Sequence, residues 1–252
     1  MRWVGLVALA GCRQIFGIGD PGAAAGDAPP IPIDTPRADA RTDGGPPPSQ
    51  LCDSIDGSLV GCWDFDGNLK GGGPYHLDIT ATGVPTYVAG HIGQAVDATN
   101  VDLNVAESPL LDVTAVTIEA WIYADSLPSG GATRASILDN NNQYALYLEP
   151  NGTLRCYAGP ATANMGNVIV AHTWMHVACT AAGAQILAYV DGVQVASGVM
   201  TSIPTDGSTG LTLGSDNPSG SGSRFSGKLD AVRLYSRALS ATEVCRAFNP
   251  NC

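Results

Sequence analysis

Lysine is nearly absent from this chain of 252 residues, and only four glutamates occur: Glu107, Glu119, Glu149 and Glu243. No two of them stand close enough along one strand to act as a glycosidase acid and nucleophile. Retaining hydrolysis needs carboxyls about 5–5.5 Å apart. Cysteine never takes the C-x-x-C spacing, and His76, His91, His172 and His176 form no H-E-x-x-H motif, so zinc-ligand patterns are missing. No internal repeat is visible. With a net charge of −11, the chain argues against nucleic acid and anionic membrane surfaces as direct partners. Its acidity comes from Asp far more than Glu, which favours turns and oxygen-rich metal sites over long helices.

Residues 1–11, MRWVGLVALAG, place one arginine before an apolar run too short to span a bilayer. This is the pattern of a signal peptide. Leu9-Ala10-Gly11-Cys12 resembles the lipobox of bacterial lipoproteins. The resemblance implies cleavage before Cys12 and lipidation of that residue, with acyl chains holding the chain at a membrane. Residue 13 is Arg, not the Asp of inner-membrane retention, so the bacterial outer membrane is the expected location, at its periplasmic or cell-surface face. Within the tether expected at 12–50, residues 20–50 are rich in Pro, Ala, Gly and Asp and hold almost no large apolar side chains. They cannot bury a core and read as a disordered tether, with a reach on the order of 90 Å if extended.

From 51 to 252 the signals are mainly β. Thr117–Tyr123 alternates Ile118, Ala120 and Ile122 against Glu119, Trp121 and Tyr123. Tyr144–Glu149 and Thr153–Tyr157 flank Pro150-Asn151-Gly152, and Gln185–Val190 and Val193–Ala196 flank Asp191-Gly192; both are hairpin patterns. Val232 and Leu234 alternate with Arg233 and Tyr235. Ser240 then stands three residues before Glu243, the spacing of a capping box that opens a helix. The fold class expected is all-β, an antiparallel two-sheet sandwich with one short C-terminal helix.

The segment FSGKLDAVRLYSRALSATEVCRAF, preceded by Tyr189-Val190-Asp191-Gly192, resembles the closing part of LamG-like jelly-roll domains of the concanavalin A-like lectin/glucanase group. WDFDGN at 63–68, Gly90-His91-Ile92-Gly93-Gln94-Ala95-Val96, TIEAWIYADS at 117–126 and Trp174-Met175-His176-Val177-Ala178 follow the same order, so the resemblance covers nearly all of 51–252. It departs at Ala231, where the family often carries Glu. It implies that Cys156 and Cys179 lie on neighbouring antiparallel strands and pair. Cys52, Cys62, Cys245 and Cys252 either staple one end of the domain to the other or pair locally.

The resemblance also implies a structural Ca²⁺ at Asp230, with Asp66 approaching the same place; hard oxygen donors suit that ion. The alternative is a turn aspartate at 66 and a charge-paired one at 230. For ligand binding, the loops at Asp139, Asn140, Asn142 and Tyr144 and at Asp216, Asn217 and Arg224 carry the side chains that hydrogen-bond sugars, although an Asn run is also ordinary turn chemistry. Trp63, Trp121 and Trp174 sit in apolar strands and read as core. His176 reads as structural. With the E-x-D-x-x-E pair of the fold's glucanases missing, the expectation is a surface-anchored, non-catalytic module binding carbohydrate or an extracellular protein. A glycan-active hydrolase of the same fold and a purely structural envelope lipoprotein are the alternatives.

Overall fold

The computed structural model describes residues 52, 56–129, 131, 133–205, 209–216 and 223–252. The expected signal peptide at 1–11, the tether at 12–50 with Cys12, and Asn217 lie outside the described residues.

The strands follow in chain order as β1 (Leu59–Trp63), β2 (Ile79–Thr82), β3 (Thr86–Ala89), β4 (Gln94–Asp97), β5 (Asp102–Val105), β6 (Val116–Ala124), β7 (Ala135–Asn140), β8 (Tyr144–Glu149), β9 (Thr153–Ala158), β10 (Ala161–Met165), β11 (Trp174–Ala182), β12 (Gln185–Val190), β13 (Val193–Val199), β14 (Leu211–Leu213) and β15 (Gly227–Tyr235), with helix α1 (Ala241–Phe248) at the end. Sheet A runs β13-β12-β11-β6-β15-β4-β3, with β1 also on β15, and sheet B runs β10-β9-β8-β7-β14-β5-β2. The named strand pairs are antiparallel. This is the two-sheet sandwich expected from the alternation in the sequence.

The period of two decides which side chains meet in the middle. From β6, Ile118, Ala120 and Ile122 enter the core, where they join Leu146 and Leu148 of β8, Leu154 of β9 and Val177 of β11. Each aliphatic side chain buried here contributes roughly 1.5–3 kcal/mol relative to exposure. Trp63 is also in this core, with its indole N–H donating to the Leu77 carbonyl at 2.7 Å. Glu119 and Trp121 point the other way, onto the outer face of sheet A. They are nevertheless buried, because the chain's end returns to cover them.

That cover is α1. Ser240 and Glu243 form the full capping box: Ser240 Oγ accepts from the Glu243 N–H at 3.3 Å, and Glu243 Oε2 accepts from the Ser240 N–H at 2.8 Å. Val244 and Leu239 then pack on Ala178, Tyr189 and Tyr235 of sheet A. Phe248 reaches Trp121 and His176, with ring centroids 5.7 and 6.3 Å away.

Cys156 bonds Cys179. The strands that carry them are not neighbours, as the family resemblance had implied: β9 belongs to sheet B and β11 to sheet A, so the bridge crosses the sandwich. Both residues face the core, the one place where side chains of opposite sheets touch. The other cysteines pair locally, Cys52 with Cys62 and Cys245 with Cys252.

Candidate functional site

Alternation leaves a second set of side chains on the outer face of sheet B. Register places Arg155, Tyr147 and Ser136 side by side on β9, β8 and β7, and Tyr157, Ala145, Asp139 and Thr212 in the adjoining row. Tyr147 is clamped: the guanidinium carbons of Arg134 and Arg155 lie 4.6 and 4.7 Å from its ring centroid. Each arginine is in turn held by a carboxylate. Arg134 grips Asp216 through Nε at 3.2 Å and Nη2 at 2.9 Å, and Arg155 meets Glu149 at 2.6 Å. Ser136 Oγ also donates to Asp216. Tyr157, half-buried, leans towards Tyr147 with centroids 6.4 Å apart.

The electrostatics of this face follow from those pairings. Burial opposes ionisation of Asp216, but the hydrogen bonds from Arg134, Ser136 and Ser223 outweigh it and hold the carboxyl below its usual range. Burial pushes the Tyr147 phenol upward, and the neighbouring Asp139 charge pushes it further. The face therefore presents neutral phenols and an ionised Asp216 paired with Arg134.

The sequence-derived ligand residues divide in three dimensions. Asp139 and Asp216 come together on this face. Arg224 joins them through a bridge to Ser136 and pairs with Asp102. Asn140 and Tyr144 do not reach a ligand surface, which corrects the expectation for both. They are fully buried and donate to the Leu111 carbonyl at 3.4 and 2.9 Å, pinning the β7–β8 turn to the loop beneath it. Asn142 sits exposed at the tip of that turn with φ 49°, doing the left-handed turn work that Asn tolerates. Sequence reasoning missed Arg134, Tyr147, Arg155 and Tyr157. The signal for Tyr147, Arg155 and Tyr157 was present as the outward positions of the β8–β9 hairpin, whereas Arg134 stands just before β7 and carried none.

A second constellation lies on sheet A. Asp66 Oδ1 accepts from the Gln94 N–H at 2.6 Å, and Asp230 Oδ2 accepts from the Ile92 N–H at 2.8 Å. One short turn, 90–94, thus holds both aspartates. Its glycines permit the approach, since a Cβ on Gly90 would lie 2.6 Å from Asp230 Oδ2 and one on Gly93 would overlap Asp66. Asp230 is fully buried, and its Oδ1 meets no donor in hydrogen-bond geometry. Burial raises its pKa to about 7, the Asp66 charge adds to the rise, and backbone N–H groups oppose it. The next residue, Ala231, occupies the left-handed region at φ 47° within a β-bulge against β6. A buried, unbonded carboxylate oxygen beside a second aspartate is donor chemistry that suits a hard cation. Among the described residues no third His, Cys, Asp or Glu gathers there, so the remaining donors of any such ion would be backbone carbonyls or water.

A rival site is a cavity of about 300 Å³ between α1 and sheet A, lined by Glu119, Arg233, Tyr235, Arg237, Glu243 and Arg246 among others. Its acids are already paired: Glu119 with Arg233 at 3.0 Å, and Glu243 with Arg237 at 2.8 Å. His176 Nε2 lies 3.7 Å from Glu119, and both side chains are buried.

Comparison with known proteins places this geometry. Domain 4 of AbnA, a GH43 extracellular arabinanase from Geobacillus stearothermophilus solved with arabinotriose, superposes with a TM-score of 0.59 at 19% identity, over 75% of this chain and 97% of that one. The botulinum neurotoxin serotype C1 binding domain gives 0.59 at 13% identity over 78% of this chain. The binding domain of botulinum neurotoxin DC, solved with rat synaptotagmin II, gives 0.57 at 13% over 78% of this chain. The chain spans about half the length of these two toxin domains, 53% and 52%. At such identities the likeness shows a shared fold. No curated protein sequence matches the chain. The sequence profile of the laminin G type 3 family matches residues 95–245, more than half of the chain, from β4 to the middle of α1. The protein therefore belongs to the concanavalin A-like lectin/glucanases superfamily.

Proposed function

We propose that this domain is a non-catalytic carbohydrate-binding module whose ligand lies on the outer face of sheet B. The observation that carries the reading is the Arg134–Tyr147–Arg155 stack beside Tyr157, Asp139 and Asp216. Tyr157 offers a ring face to the C–H side of a sugar. The paired arginines and carboxylates offer fixed donors and acceptors to its hydroxyls. Ordering these groups before the ligand arrives lowers the entropy lost on binding. The arabinotriose bound by the arabinanase domain supports the same ligand class.

The pairing also argues against hydrolysis. A general acid must hold a proton near neutral pH. On this face the hydrogen bonds of Arg134 help to hold Asp216 below its usual range, and Glu149 and Asp102 are each engaged by an arginine. A glycan array, with reducing-end release measured on the same polysaccharides, tests both halves. Binding without release is expected, with loss of binding in Tyr157→Ala. Release of reducing ends by the wild type would overturn the non-catalytic half, and no binding to any glycan would overturn the other.

The same reading includes Ca²⁺ at Asp66 and Asp230 as a structural ion, and an outer-membrane anchor at lipidated Cys12. The unbonded oxygen of Asp230 supports the first. The Leu9-Ala10-Gly11-Cys12 motif supports the second. Palmitate labelling lost in Cys12→Ala is the expected result for the anchor, and labelling that survives would refute it.

A further inference from the structure

We infer that Trp174 and Tyr123, on the outer face of sheet A, form a second saccharide-stacking site. It rests on the carbohydrate-binding reading above and adds a separate surface to it. β6 and β11 pair so that Tyr123 and Trp174 stand directly opposite each other, with ring centroids 5.6 Å apart and planes at 59°. Both are half-buried although they lie outside the sandwich. Helix α1 covers this face over Ala178, Tyr189 and Tyr235 and ends at Phe248, which touches Trp121 and His176 in the next row.

The rim around the two rings is polar. His91 and His172 are exposed; His91 lies 6.3 Å from Trp174, and His172 lies 6.3 Å from Tyr123. Both contacts are tilted, at 58° and 64°, and the Tyr123 contact is tilted as well. Among the described residues, therefore, no aromatic ring stacks parallel on Trp174. By contrast, His91 lies flat on buried Trp121 at 3.4 Å.

Charge selects the occupant. Lys228 Nζ sits 4.5 Å from the Tyr123 centroid and 2.6 Å from Asp125 Oδ1, so this cation beside the rings is already balanced by an anion. An ionic ligand would find no net attraction. A neutral sugar would lay its apolar face on Trp174 and hydrogen-bond its hydroxyls to the Lys228–Asp125 pair and the histidine rims. Because facing strands hold both rings, the surface is preformed.

Native affinity electrophoresis through gels containing arabinan, laminarin, galactomannan or xyloglucan tests this with the full chain. On a polysaccharide that retards the wild type, Trp174→Ala should weaken retardation by about tenfold, and Trp174→Phe by less than about threefold. The part of the wild-type emission that Trp174→Phe removes should also become shielded from iodide as that saccharide is added, because Trp174 is half-buried while Trp63 and Trp121 are buried. A folded Trp174→Ala that migrates like wild type, or failure of that Trp174 emission to become shielded under saturating saccharide, overturns the inference. If Tyr157→Ala is released in the same gels, the sheet B reading survives that failure. Retardation of the wild type by none of the gels overturns both.

Discussion

Glu119 and Arg233 form a salt bridge at 3.0 Å on the outer face of sheet A, the glutamate side chain 1% exposed and the arginine 13%. Adjacent strands present them to each other: Arg233 of β15 is the register partner of Glu119 of β6. Burial opposes the charge on Glu119, yet Arg233 and His176 hold its pKa below the usual value. Burial likewise opposes the charge on Arg233, and Glu119 overcomes it.

Breaking this pair by removing one partner should be costly, since it strands a charge under α1. Arg233→Met is expected to lose about 3–5 kcal/mol of unfolding free energy, and Glu119→Gln/Arg233→Met to recover much of that loss. Urea unfolding of the four proteins of this cycle measures it. A single variant within 1 kcal/mol of wild type, on the scale of an exposed pair, would refute the assignment. The folded pKa of Glu119 is depressed, so its stabilisation is present above the unfolded value near 4.5 and is lost as pH falls through the lower folded value.

Asp230 carries the opposite sign. Its folded pKa is raised from 3.8 to about 7, so without a cation the folded state holds a proton that the unfolded state has released. In EDTA its contribution to stability should therefore fall as pH rises from 3.8 towards about 7. Asp230→Asn should flatten that slope by up to about 1.4 kcal/mol per pH unit. Millimolar Ca²⁺ at pH 7.5 should raise Tm in the wild type and leave Asp230→Asn unchanged. Calorimetric scans with and without Ca²⁺ decide it, and a wild-type Tm insensitive to both chelator and calcium would remove the ion.

The bridge between the sheets should outweigh the terminal one. Cys156 and Cys179 close a separation of 23 residues and join opposite layers, whereas Cys245 and Cys252 close 7. Cys156→Ala/Cys179→Ala is expected to cost about 2–4 kcal/mol, and Cys245→Ala/Cys252→Ala distinctly less. Denaturant midpoints of the two variants make the comparison; equal losses would contradict it.

Ser240→Ala tests the lid. Losing the cap that starts α1 should cost about 1 kcal/mol. Glu243 would then lose one of the partners that, led by Arg237, bring its pKa down to about 2. Amide exchange should speed up in 241–248 and at the buried Tyr189 and Tyr235, which Val244 packs against. Faster exchange confined to the helix would mean that α1 is not what seals that face.

Much of the fold was legible in the chain because alternation, turn residues and a capping box are local signals. Thr117–Tyr123, the Asp191-Gly192 hairpin and Ser240–Glu243 each declare their conformation within a few residues. The two aspartates of the candidate cation site were legible only through the family's motifs. Asn140 and Tyr144 misled because a polar or aromatic residue near a turn looks the same whether it faces solvent or a buried carbonyl. Trp121 and Trp174 read as core from their apolar strands, yet both lie outside the sandwich, Trp121 buried by the returning chain end and Trp174 half-buried.

The sequence by itself determined strands β6, β8, β9, β12, β13 and β15, the closing helix, the superfamily and the lack of paired glutamates, since these depend on neighbours along the chain. Only the tertiary structure decided that Cys156 reaches across the core to Cys179, that turn 90–94 gathers Asp66 and Asp230, and that Arg134 and Arg155 clamp Tyr147. Each of these joins segments through sheet register and layer packing, and no periodicity within one segment encodes which distant strand will lie beside it.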